Sequence, residues 1–176
     1  MSQANSINFE HQTKENMAIC TLEDLQSELR PGGRLLGLDL GSKTIGLAIS
    51  DPAFAIASPI GTIRRTKFGK DAEALERLIE ERGVGGLVIG LPINMDGSEG
   101  PRCQSTRQFA ANLISRGFNL PMAFWDERLS TAAVERVLVD EADMSRRKRA
   151  QVVDKMAAAY ILQGALDRLR RIAHDA

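Results

Sequence analysis

Histidine is nearly missing from this chain of 176 residues: His11 and His174 are the only two, and both lie near the ends. Chain ends are where order is poorest, so imidazole is not expected to act as a general base. Any acid-base or metal chemistry then falls to carboxylates. Cysteine is equally scarce. Cys20 and Cys103 have neither the CxxC spacing of a metal or redox motif nor the number of a disulfide framework, which suits a reducing compartment and argues against zinc. One Trp, one Tyr and six Phe leave few platforms on which bases could stack, and Trp125 is expected in the core. Neither sign of charge is in excess, with 23 basic and 23 acidic residues, so no global field marks a nucleic-acid partner. Local patches would have to hold one. No apolar run approaches the roughly 20 residues of a membrane span, and the N-terminus lacks the basic-then-apolar layout of a signal peptide. A cytoplasmic protein without a membrane partner is expected.

The length allows one domain with a real core plus an appendage. Residues 1–33 read as an N-terminal extension, polar and without period over 1–20, then a possible short helix from Thr21 to Arg30 with Thr21 and Asp24 as a capping box. The domain proper is expected over 34–176. Arg34–Leu40 and Ile45–Ser50 are short apolar runs around a Gly-Ser-Lys-Thr turn, and Ala55–Arg65 reads as a third strand that Ser58-Pro59 marks as an edge or a bulge. Ala74, Leu75, Leu78 and Ile79 recur at helical spacing over 71–82, up to Gly83. "GLVIG" at 86–90 reads as a buried parallel strand, and the Pro, Asn and Gly of 91–102 as a loop able to move, placed at a strand end where open sheets bind ligands. A helix over 103–115, a fifth strand over 121–127, a helix from Ser130 to about Asp140 and a last helix from Ala150 to Ile172 complete the chain. Three meandering strands followed by alternating helices and strands give an α/β fold, a mixed five-stranded sheet with helices on both faces. That is the element order of the ribonuclease H-like fold, in which the first strand is central.

Asp39 ends an apolar strand just before a glycine turn, a place where an ionised carboxylate is costly unless something meets it. A nuclease of this fold would use such acids to hold one or two divalent ions, and Mg²⁺ needs only a few oxygen ligands. Read alone, Asp39 is equally a turn acid bonded to the next amides. Asp126 and Glu127 end the fifth strand. One of them should face Asp39, and Glu127 is favoured for its longer reach, the alternative being that Asp126 caps the turn while Glu127 and Arg128 are solvated. Asp154 shares a helix stripe with Ala157, Ala158 and Ile161, a face small enough to approach a sheet; otherwise it is an acid favoured by the helix dipole. Arg64, Arg65, Lys67 and Lys70, and the run from Arg146 to Arg149, form basic clusters suited to phosphates or simply to solvent.

Four stretches taken in order resemble the YqgF/RuvX family: Gly37-x-Asp39-x-Gly41-x-Lys43, Gly90-Leu91-Pro92-x-Asn94-x-x-Gly97-Ser98, the run Asp126 to Thr131, and Asp154-x-x-Ala157-Ala158-x-x-Ile161-Leu162-Gln163. The resemblance implies a ribonuclease H-like fold related to the resolvase RuvC and a nuclease for the 5′ end of pre-16S ribosomal RNA. It implies Asp39, Glu127, Asp126 and Asp154 as catalytic residues, with Asp39, Glu127 and Asp154 holding Mg²⁺ or Mn²⁺. Lys43, Asn94, Arg128 and Arg147 are the expected substrate contacts. Structured RNA is the implied partner, branched DNA the alternative. Resolvase-type relatives carry their second acid on the strand that here ends Gly90-Leu91-Pro92, so this chain must draw it from the neighbouring strand. Two other classes stay open: an ATPase of the actin or sugar-kinase type, which shares the Asp-x-Gly turn but needs a second related domain, and an RNA-binding protein that does not cut.

Overall fold

The computed structural model describes residues 18–130 and 146–175, with the side chains of the last helix from residue 156 on. The elements are β1 (Ile19–Cys20), α1 (Leu22–Glu28), β2 (Arg34–Leu40), β3 (Thr44–Ser50), β4 (Ala57–Arg64), α2 (Phe68–Arg82), β5 (Val84–Leu91), α3 (Pro101–Arg116), β6 (Met122–Asp126) and α4 (Arg146–Asp175). The helix expected from Ser130 to Asp140 and the polar start of the chain fall outside the described residues.

One sheet has the order β1-β6-β5-β2-β3-β4, with β2, β3 and β4 antiparallel and β1, β6, β5 and β2 parallel. Strand β2 is therefore interior, parallel to one neighbour and antiparallel to the other. The sheet has six strands where five were expected. The extra one is Ile19–Cys20, paired with Met122 and Ala123 at the edge of β6. Two residues after a polar stretch are too few for alternation to show. Thr21 then caps α1: its Oγ1 accepts from the Asp24 amide at 3.1 Å and donates to the Asp24 carboxylate at 2.8 Å. Leu22 and Leu25 enter the core from this helix, so residues 19–28 are built into the sheet edge.

On β4 the register jumps between Leu47 and Ala48, whose partners are Gly61 and Pro59. The bulge falls beside Pro59, a residue that cannot donate to a ladder, on an edge strand where this costs least. Helix α2 begins at Phe68, earlier than the apolar spacing suggests, because buried Asp71 accepts from the Thr66 amide at 3.0 Å and fixes the entry. It ends at Gly83, whose φ of 63° closes the last turn.

Strand alternation divides the core. Leu36, Leu38 and Leu40 face α2 and α3, while Leu35, Gly37 and Asp39 belong to the face covered by α4. Small residues let α4 lie close to that face. A Cβ on Gly37 would stand 2.8 Å from the Leu162 Cβ and 3.1 Å from the Ala158 carbonyl, both fixed parts of the helix. Gly37→Ala should therefore cost about 1–3 kcal/mol in a denaturant titration, the usual penalty of overpacking. This contact seats α4 one same-face step before Asp39.

Candidate functional site

Parallel strands β2, β5 and β6 end along one rim of the sheet, and the two acids that the sequence singles out there come from its centre and its side. Asp39 is the penultimate residue of β2, paired across the ladder with Gly46 and half-buried. Beyond β6 the chain turns through a short 3-10 segment, Glu127–Leu129, opened by Asp126, whose side chain accepts from the Arg128 amide at 3.0 Å. The Arg128 guanidinium also grips the Asp126 carboxylate at 2.7 Å and, through this bond, holds it below the usual carboxylate range. Asp126, a candidate catalytic residue, is thus paired with Arg128, a candidate substrate contact.

Glu127 goes the other way. It folds back over β5, where a Cβ on Gly90 would stand only 2.6 Å from its Oε1 and 2.5 Å from the Ile161 Cδ1. Gly90 pairs with Trp125 and follows Ile89, the partner of Leu38, so the space above it adjoins Asp39. The carboxylate of Glu127 therefore occupies the room that a side chain on β5 would take.

The Glu127 carboxyl is pushed up to about 7, by burial first, then by the negative charge of Asp39; Arg102 draws it back and Asp126 adds to the rise. Because the folded value lies above the ordinary 4.5, stability from this group is complete below about pH 4.5 and is lost as pH climbs through 7. Glu127→Gln removes that loss. At pH 8 without divalent ions the variant should be more stable by on the order of 1–3 kcal/mol, or several degrees in Tm, and its stability should change less between pH 5 and 8. A melting series across that range measures it.

The donor set consists of carboxylate oxygens, suited to Mg²⁺ or Mn²⁺ and not to softer ions. Two acids whose charges repel, one of them lying over a strand glycine, suit a divalent cation. Among the described residues no group of three or more acids, histidines or cysteines gathers around one point. Asp154 stands on α4 one turn before Ala158, the residue over Gly37; its side chain, like that of Arg147, lies outside the described residues.

The other expected contacts divide. Lys43, in the exposed turn after β2, carries no side-chain hydrogen bond or ion pair among the described residues. Asn94 belongs to a loop that is internally bonded, where its Nδ2 donates to Ser98 Oγ at 3.0 Å and its amide to the Ser98 carbonyl. Trp125 is partly buried as expected, with Nε1 donating to Ser130 Oγ at 2.8 Å. Sequence reasoning singled out neither Gly90, read only as part of a strand without an acid, nor Arg102, read as the last residue of the 91–102 loop; the structure places Arg102 in the first turn of α3, where the dipole disfavours a cation.

The fold, with acids gathered where parallel strands end, is that of the ribonuclease H-like nucleases. Its likeness to solved structures is one of fold alone: Thermus thermophilus RuvC in complex with a Holliday junction substrate (TM-score 0.50, 12% identity, 78% of this chain and 96% of that one) and the yeast mitochondrial Holliday junction resolvase Ydc2 (0.50, 12%, 96% of each). The chain belongs to the RuvX family, described as Holliday junction resolvase, whose model matches residues 33–168. Relatives from Rhodospirillum centenum (62% identical over 88% of this chain and 84% of theirs), Phenylobacterium zucineum (62%, 89% and 100%) and Paramagnetospirillum magneticum (64%, 86% and 96%) carry the provisional name pre-16S rRNA nuclease. Among the described residues no helix is long and apolar enough to cross a membrane.

Proposed function

We propose that the chain is a metal-dependent endonuclease that trims the 5′ end of pre-16S ribosomal RNA in the cytoplasm. The observation that carries this is the Glu127 carboxylate lying over Gly90 beside Asp39, at the end of the parallel strands, in a chain whose relatives carry a nuclease name for that RNA. Asp39 and Glu127 would hold Mg²⁺ or Mn²⁺, with Asp154 as the third acid of the set. A cation there would activate water and offset charge on the phosphate.

The chain's own residues set the conditions. Glu127 is half protonated near pH 7 until a cation lowers its pKa, so cation binding should strengthen from pH 6 to pH 8. Asp126 and Arg128 lock the turn that aims Glu127, acting as positioning residues. Lys43 is available to a phosphate at the open end of β2. With few aromatics at the rim, RNA would be read through backbone and shape more than through base identity.

The test is incubation of the purified protein with a pre-16S fragment and with a four-way DNA junction, each with Mg²⁺, with Mn²⁺ and with neither. Cleavage of the RNA that needs a divalent ion supports the reading. Faster cutting of the junction makes it a DNA resolvase, and tight RNA binding without cutting in either ion makes it a binding factor.

A further inference from the structure

Among the described residues, the arginines on the elements around the ends of β2, β5 and β6 are not equivalent. Arg128 is held by Asp126 through both guanidinium and amide. Arg107 is paired with Glu99 and lies over the Phe124 ring at 4.9 Å. Arg65 donates to the Gly41 carbonyl at 2.7 Å and lies over Phe109, bracing the turn after β2. These three have their charge or their donors committed to the fold. Arg102 does not: its exposed side chain makes no hydrogen bond or ion pair among the described residues.

Arg102 is also in a place that local energetics would not choose. It is the second residue of α3, whose N-cap Gly100 offers no side chain and whose first turn holds no acid, so the helix dipole and the guanidinium repel. A local rule broken without a compensating contact points to function. The next residue, Cys103, is buried with Sγ donating to the Pro92 carbonyl at 3.0 Å, which ties the first turn of α3 to the end of β5. That strand end carries Gly90 and, above it, the Glu127 carboxylate. Arg102 is near enough for its charge to act on Glu127. Lys43 stands beyond the end of β2, on the other side of the same rim.

We propose that Arg102 is a substrate-binding residue, which with Lys43 grips the phosphates on either side of the bond placed at Asp39 and Glu127. The inference rests on the nuclease reading and deepens it, because it gives the rim a direction for the strand: from the β2–β3 turn, across the acids, to the start of α3. Arginine suits the role, since its planar fork binds phosphate oxygens in pairs.

The experiment measures binding of a labelled pre-16S fragment by fluorescence anisotropy between 50 and 200 mM KCl, in an Asp39→Asn background so that no cutting intervenes. Adding Arg102→Ala should weaken binding about fivefold to tenfold and make the salt slope shallower by about one. Arg102→Lys should recover part of the affinity, and Arg82→Ala, at the far end of α2, should change nothing. No Arg102 variant should melt below its Asp39→Asn parent, since the side chain is exposed and makes no hydrogen bond or ion pair among the described residues. An unchanged affinity and slope in Arg102→Ala, with RNA still bound and wild-type protein still cutting, overturns this inference alone. If the wild type neither binds nor cuts the RNA, the nuclease reading falls and this inference with it.

Discussion

Asp39→Asn should cut RNA at least 100 to 1,000 times more slowly than the wild type under Mg²⁺, while remaining folded. A cation's stabilisation of charge at a phosphate is worth several kcal/mol, and each 1.4 kcal/mol lost is a factor of ten in rate. Asparagine keeps the size and the strand position but removes the charge. The same change relieves Glu127 of a repelling neighbour, so its carboxyl should titrate closer to the ordinary value and the metal-free protein should be more stable at pH 8. Activity lost while stability rises is the mark of a site strained for function. A variant that loses both has simply unfolded, and one that cuts at the wild-type rate excludes Asp39 from the chemistry. Circular dichroism and single-turnover cleavage separate these cases.

The second large effect is expected from a residue without a side chain. Gly90→Ala would put a methyl group where the Glu127 Oε1 and the Ile161 Cδ1 already are, at 2.6 and 2.5 Å. Both of those atoms are ends of flexible side chains, so the structure can yield. Glu127 should swing toward solvent and take its carboxylate away from Asp39. Overpacking costs about 1–3 kcal/mol. Release of a carboxylate held at a raised pKa offsets part of it, so the net loss of stability should be small. Cleavage should nevertheless fall by ten-fold or more, comparably to Glu127→Ala, because the same ligand is withdrawn. The double variant Gly90→Ala with Glu127→Ala should be no slower than either single variant. An additive loss would mean that Gly90 acts on something other than Glu127.

The fold was largely legible because its signals are local. The short apolar run of Arg34–Leu40, the Pro59 interruption of β4 and the glycine ends of α2 and α3 each leave a mark within a few residues. Strand β1 left none, since two residues cannot show a period, and it exists only because β6 offers an unpaired edge. Asp39 was legible as a carboxylate in a costly place. The choice between Asp126 and Glu127 was not, because strand alternation stops at Asp126 and the chain leaves the sheet in a 3-10 turn. Reach favoured Glu127, and what supports that choice in the structure is the room over Gly90, which belongs to another strand. Arg102 was harder still. Its meaning depends on which neighbouring cations are already paired, and pairing is a property of the folded chain.

The central claim is that Asp39 and Glu127 share one divalent cation, and calorimetric titration with Mn²⁺ tests it most directly. The wild type should bind Mn²⁺ at pH 8, more weakly at pH 6 and there with release of up to about one proton. Asp39→Asn and Glu127→Gln should each weaken binding by about tenfold or more, and together abolish it. Undiminished Mn²⁺ binding by the doubly substituted protein would contradict the account.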